Sequence, residues 1–462
     1  MKKIIVSGLT LITAFAFVSP AVATGDVSPI NSQTEITVKS LSGSIRNPKV
    51  FPLANGSSLV SWLEDGADGY FLRARTVSAT NKLGIIQTIN SEKAAFLDRT
   101  EGVQETIAIN RSGQLFAVWA TLGTRYNVPS QKIWGRTSLD GSNWSKPFVV
   151  IPGLSVTGDP DMCMMEAAFT PRCGFIKLQA AIDDKGRLAV LVADNLETTG
   201  TRYRMKTRSF TGKWCNFKTL SPVRETRTSE IVGLTSGFVA SATRYGGTTN
   251  SVKTSYYDPK AEAWTSTSTP VVTSANVVFT SHWVQRDTKN LTLALANTST
   301  AGALSMRNFN VDSKTWTTDL ITLHAGEPEH VIQDLRAAKV GANLVVLYNV
   351  YGQSAHISAA RVAKVIGTTA TTSELGTSID QIDALYVGSS MSSNPVVAYN
   401  HIMEGTKLGG ITGLTLPSFL PNTATHSYLS AMAKTRSDKI LAVGLNFGEG
   451  TTSVVFTQGF VK

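Results

Sequence analysis

After its first two dozen residues this chain has no apolar run long enough to cross a bilayer, no sustained helical periodicity and very little cysteine. A helical span needs roughly 20 consecutive apolar residues, so none is expected in the body of the chain. Without 3.6-residue periodicity, helix content should be very low. Three cysteines among 462 residues exclude a disulfide scaffold, and a chain this long buries a core without one. A G-x-S-x-G elbow, an H-E-x-x-H helix, a P-loop and a dinucleotide fingerprint are all missing, which leaves serine-hydrolase, metalloprotease, nucleotide-hydrolysing and Rossmann chemistry without residues. No cofactor is expected. No metal is expected either: there is no CxxC, and the carboxylates of Asp159 and Asp161 fall short of the about six to eight oxygens that calcium takes.

The start of the chain does carry an apolar run. Lys2 and Lys3 precede Ile4 to Val18, and Ala21-Val22-Ala23 makes a small-x-small cleavage site. This pattern predicts a secretory signal peptide over residues 1–23 and a secreted single domain over 24–462; a membrane anchor is the competing reading, against which the run is short. In an oxidising compartment Cys163 and Cys173, ten apart around Pro171, are candidates for a loop-closing disulfide, with Cys215 left over. The formal charge of +10 falls to +8 when Lys2 and Lys3 are removed. A moderately basic surface suits anionic glycans, wall polymers or headgroups, although scattered single charges also serve solubility. No Lys/Arg run points to nucleic acid. A monomer is expected.

What the chain has in abundance is a repeat. Short apolar strands rich in Val, Ile, Thr, Phe and Tyr alternate with Gly, Asn, Asp and Ser turns, as in Leu115-Phe116-Ala117-Val118-Trp119 after Asn110 to Gly113. Equivalent hairpins begin near residues 48, 104, 178, 229, 280, 331, 382 and 430. Four-stranded units at this spacing predict an all-β propeller of about eight blades, with seven as a live count and a two-sheet sandwich array as the other architecture. The last unit shows only three strands, and Thr34 to Val38 is a spare one, so the two ends are expected to pair and remove exposed edges. Second hairpins with an Asp in the turn and a Trp beyond it, at Asp140 to Trp144, Asp258 to Trp264 and Asp312 to Trp316, read as structural pins.

In such a fold the tight hairpins open on one face, and the loops from second to third strand and from blade to blade open on the other. That sorting sends Arg46, Asp65, Arg125, Arg227, Arg244, Tyr245, Glu327, Glu329 and Tyr351 to the second face, with all six histidines at or near it. A long irregular insertion over 153–175 joins them, either as a lid over the central funnel or as a decoration on a blade edge.

Ser138-Leu139-Asp140-Gly141-Ser142-Asn143-Trp144 resembles the Asp-box of the bacterial sialidase repeats, with its Gly one place early, and Arg46-Asn47-Pro48 is similar to the segment that opens the sialidase propeller. The resemblance implies that Arg46 belongs to an arginine cluster gripping a substrate carboxylate. Arg227 and Arg244 are candidate companions by loop position only, and Arg125 and Tyr245 are further ligand-binding candidates on the same face. It also implies a Tyr nucleophile, for which Tyr245 and Tyr351 are candidates, and an Asp acid/base, for which Asp65 is one. Sialidase propellers have six blades, which this spacing does not match. Two functions stay open: a secreted module that binds a glycan or anionic surface polymer, and a sialidase-like glycoside hydrolase. A host-interaction protein without a small ligand is a third.

Overall fold

A computed structural model describes residues 36–460 apart from 67–68, 91–104, 126–127, 156–173, 197–199, 209–211, 222–228, 245–249, 268–272, 275–276, 299–301, 379–381, 390–394, 402–404, 411–426, 438 and 449. The strands fall into eight antiparallel sheets, most of four strands, as expected of a β-propeller with eight blades. The innermost strands are Ile45–Pro52, Glu105–Ile109, Gly174–Ile182, Ser229–Gly233, Val277–Gln285, His330–Val340, Ile382–Ser389 and Ser427–Lys434. Every hairpin read from the sequence therefore owns a sheet, and the count is eight rather than seven. The first strands of successive sheets touch one another, which places them around the axis.

Closure uses the spare strand. Ile36–Leu41 pairs antiparallel with Thr451–Phe460, Ile36 opposite Phe456 and Thr37 opposite Val455. Val38, Leu441, Val454 and Phe456 then pack with Val50 and Trp62 of the first blade. Burial of such side chains drives the fold, because both faces of each sheet meet a neighbour. Between the first two blades the seam holds Leu63, Leu72, Ile107 and Trp119; between the third and fourth it holds Leu191, Phe238, Tyr257 and Trp264.

The tight hairpins are linked below these seams. Asn110 Nδ2 donates to the Asp183 carbonyl at 2.9 Å, and the Asp184 amide donates to the Leu234 carbonyl at 2.9 Å. The second, third and fourth blades are thus joined in series by hydrogen bonds between their inner turns. Asp183 itself is fully buried and takes the Gly237 amide of the fourth blade at 2.8 Å.

The Asp-Trp hairpins are structural. Asp140 Oδ1 accepts from the amides of Ser142 at 2.8 Å and Asn143 at 2.7 Å, and Gly141 supplies a φ of 73° that its turn requires. Trp264 is buried, its Nε1 donating to Thr207 Oγ1 across a seam at 2.8 Å. The third hairpin departs from the expectation: its turn is capped by Asn310 Oδ1, which accepts from the Ser313 amide at 2.9 Å, while Asp312 lies 3.1 Å from Lys289. Asparagine makes the same acceptor geometry as aspartate, so the sequence pattern pointed two residues too far.

The insertion is shorter than 153–175. Strands Phe148–Ser155 and Gly174–Ile182 take in both of its ends, because Leu154 pairs with Gln131 despite the irregular Pro152-Gly153 step. Residues 156–173, with Cys163 and Cys173, lie outside the described residues, as does the segment 1–23. No helix among the described residues is long and apolar enough to cross a membrane.

Candidate functional site

The end of the wheel opposite the tight hairpins carries several of the sequence-predicted site residues. Arg125 and Arg244 are the last residues of strands Leu115–Arg125 and Phe238–Arg244, each just before the turn to its third strand. Arg46 lies opposite Leu63, near the same end of the first blade. The backbone therefore brings Arg46, Arg125 and Arg244 to one side. Arg227 and Tyr245 lie outside the described residues.

Arg46 is the best-presented of these. Its side chain is 52% exposed and 3.8 Å from the Asp65 carboxylate. Its Nε donates to Ser44 Oγ at 3.2 Å, and its guanidinium carbon lies 5.3 Å from the Tyr70 ring centre. Stacking on an aromatic face steadies the fork without occupying its donors. The contact with Asp65 is loose beside the 2.8 Å of Arg187 with Asp183 or the 2.7 Å of Arg336 with Asp334.

Next to Arg46 the seam between the first two blades contains groups that sequence reading missed. Glu105, 4% exposed, accepts with Oε1 from Lys49 Nζ at 2.8 Å and from Asn47 Nδ2 at 3.0 Å. Its Oε2 is buried with no partner. Glu105 stands at the start of a strand, where a lone acidic residue reads as solvated; only the neighbouring blade reveals its task.

A second cluster lies where the fifth blade passes to the sixth. Tyr351 OH and His356 Nδ1 share a hydrogen bond at 2.6 Å. His356 and Glu329 both hold left-handed backbone, with φ of 52° and 60°. Their loops are tied by the Gln353 amide donating to the Glu329 carbonyl at 2.9 Å and by Ser354 Oγ donating to the Glu329 carboxylate. His330 donates through Nδ1 to the Pro328 carbonyl at 2.7 Å, which leaves its Nε2 as the acceptor of the neutral ring. Glu327 takes the Arg361 guanidinium and lies 3.9 Å from both His324 and His330. The Arg361 hydrogen bond holds the Glu327 carboxyl below its usual range.

Burial, reinforced by the Arg361 charge, keeps the His324 imidazole below the ordinary histidine range. The folded protein thus holds this ring neutral. Its stabilising effect is complete above the free-imidazole pKa of about 6.5 and drains away as pH falls through the lower folded value. Between about pH 7.5 and about pH 5.5 the wild-type Tm is expected to drop by about 2 °C more than that of His324→Gln, read by differential scanning fluorimetry. Parallel pH profiles for the two proteins would refute this.

Of the six histidines, His282 approaches Glu230 across the seam of the fourth and fifth blades, Nδ1 to Oε1 at 3.3 Å. His401 ends strand Pro395–His401, and His426 lies outside the described residues. The groups around Tyr351 do not match the sialidase pattern in one respect: its hydrogen-bond partner is an imidazole rather than a glutamate. No group of three or more His, Cys, Asp or Glu able to hold a metal occurs among the described residues.

No protein-family model and no curated protein matches the chain. Among solved structures it is similar to the polysaccharide lyase Uly1, with a TM-score of 0.50 and 11% identity over 90% of both chains. A PL25 ulvan lyase matches with a TM-score of 0.44 and 11% identity over 82% of this chain and 98% of that one. The NanB sialidase of Streptococcus pneumoniae matches with a TM-score of 0.37 and 12% identity over 91% of this chain and 68% of that one. At such identities the likeness is one of fold.

Proposed function

We propose that this chain is an exported propeller that binds an anionic glycan or surface polymer at its loop face. The reading is carried by Arg46, a half-exposed guanidinium at the loop end of the first blade, steadied by Tyr70 and Ser44. Planar forked donors suit carboxylate and sulfate groups. The net charge of +8 that remains once Lys2 and Lys3 are removed favours the approach of a polyanion. The lyase Uly1 acts on a polysaccharide with a wheel of similar build, which supports a carbohydrate ligand.

The test is retention of the purified protein on an array of acidic and neutral glycans. Acidic glycans should be held, and Arg46→Ala should weaken that binding by about 30-fold, the equivalent of about 2 kcal/mol for a charge-assisted pair. Equal retention of neutral glycans, or an indifferent Arg46→Ala, would remove the reading.

Turnover of the glycan in the manner of a sialidase is the second reading, favoured by Tyr351, whose phenol oxygen is hydrogen-bonded to His356 Nδ1 at 2.6 Å. It requires release of the fluorophore from a fluorogenic sialoside, lost in Tyr351→Phe.

A further inference from the structure

The tight-hairpin end of the wheel has exposed chemistry of its own. Among the described residues the three most exposed large apolar side chains are Ile85, Leu139 and Ile366, at 83%, 72% and 60%. All three lie towards that end. Leu139 directly follows strand Val128–Ser138, Ile366 ends strand Ile357–Ile366 before its Gly367 turn, and Ile85 lies between strands Gly69–Val77 and Gln87–Thr88. These are the links from third to fourth strand in the second, sixth and first blades, so the aliphatic tips stand on two separated arcs of the rim. Ile357 and Phe447, at the loop end, are less exposed. Single exposed aliphatics are ordinary on a protein surface; these three frame a charged centre.

Inside that frame the turns between first and second strands, with the residues flanking them, are basic. Arg111, Lys185, Lys289, Lys339 and Arg436 are exposed there, whereas Asp287 is the one exposed acid among the described residues of these turns. Two of the cations are fixed by neutral acceptors on another blade: Lys339 Nζ donates to the Arg286 carbonyl at 2.7 Å, and Arg436 donates to the Arg111 carbonyl. A carbonyl positions a cation without cancelling its charge. The carboxylates nearby are engaged in the turns themselves. Asp183 is buried against Arg187, and Asp287 accepts from the Lys289 and Asn290 amides at 2.8 Å each. Asp184 lies a loose 3.7 Å from Arg111, and Lys289 alone of the five is closely paired, with Asp312 at 3.1 Å.

We propose that the tight-hairpin face seats the protein on the surface of an anionic lipid bilayer. Basic side chains of the inner turns meet the headgroup phosphates, and Ile85, Leu139 and Ile366 enter the boundary between headgroups and acyl chains. The aliphatic tips decide for a bilayer over a soluble phosphate polymer, which offers them nothing apolar to enter. This attachment is independent of the glycan-binding reading. It turns the loop face away from the membrane, towards whatever lies outside it.

Co-sedimentation of residues 24–462 with vesicles tests this; that span holds all eight sheets and omits the apolar run Ile4 to Val18, which would itself enter lipid. Binding is expected to vesicles of phosphatidylglycerol and phosphatidylcholine in equal parts, and not to pure phosphatidylcholine. Arg111→Gln, Lys185→Gln and Arg436→Gln combined should weaken it about 100-fold, the product of three basic residues near an anionic surface. Leu139→Ser with Ile366→Ser should weaken it about tenfold at unchanged charge. Arg46→Ala, at the other rim, should bind vesicles like the wild type. All these positions are exposed, and an unchanged Tm in each variant separates lost binding from lost fold. No binding to the anionic vesicles, or an indifferent triple variant, overturns the proposal. So does binding that falls in Arg46→Ala, which would move the contact to the loop face. Binding that ignores Leu139→Ser with Ile366→Ser gives the face to a soluble phosphate polymer and overturns the bilayer.

Discussion

Asp183→Ala is expected to lower stability by about 4 kcal/mol in urea unfolding, with the midpoint shifted and the slope unchanged. The carboxylate is fully buried and satisfies four donors. Its Oδ1 takes the amides of Lys185 at 3.0 Å and Arg187 at 2.8 Å, and its Oδ2 takes Arg187 Nε and the Gly237 amide, each at 2.8 Å. Alanine strands the Gly237 amide and leaves a guanidinium whose side chain is only 12% exposed without its partner. An uncompensated buried charge is among the few causes of losses this large. Asp183→Asn should cost about half as much, since its carbonyl keeps the two turn amides while its NH2 faces two donors. A loss under about 1 kcal/mol for alanine would mean that the linked turns do not hold the third and fourth blades together.

Removing the strand Ile36–Leu41 is expected to cost about 5 kcal/mol and to make the protein self-associate. Val38 is almost wholly buried in the seam between the last and first blades, its carbonyl accepts from Arg75 Nη1 at 2.7 Å, and Ser453 Oγ donates to Ser40 Oγ at 3.0 Å. Burying Ile36, Val38 and Leu41 contributes roughly 1.5–3 kcal/mol for each side chain that is fully covered, an upper bound for the two at the edge. Their loss also bares the ladder of Thr451–Phe460, and an uncovered apolar edge pairs with other chains. Light scattering after size-exclusion chromatography reads the association, and a peptide spanning residues 34–42, added in excess, should reverse it. A truncated protein that stays monomeric with an unchanged Tm would show that the closing strand is dispensable.

The architecture was legible because its signals are local. Leu115 to Trp119 after a glycine turn announces an inner hairpin on its own, and so do the seven other copies. The spare strand near Ile36 was legible by subtraction, since the last blade lacked a partner. The candidate site was legible only in part. Arg46 and Tyr351 could be assigned to a face by counting turns, but a turn count says nothing about contacts between blades. The bulge at Asn47 depends on how Ile45–Pro52 aligns with Ser58–Gly66, and Glu105 acquires meaning only beside a strand 56 residues away from it in sequence. Tyr351 and His356 are the exception: they sit at the two ends of a hairpin turn, so their meeting could have been foreseen from the spacing alone. Asp312 failed for the opposite reason, because Asn310 performs the same capping with a different letter.

The hydrogen bonds passed from Asn110 to Asp183 and from Asp184 to Leu234 all lie on the hairpin side. These turn-to-turn joints and the proposed glycan-binding face therefore lie at opposite rims of the molecule. Changes on the loop rim leave the bonds of Asn110, Asp183 and Asp184 in place, so that rim is free to diversify while the base stays constant.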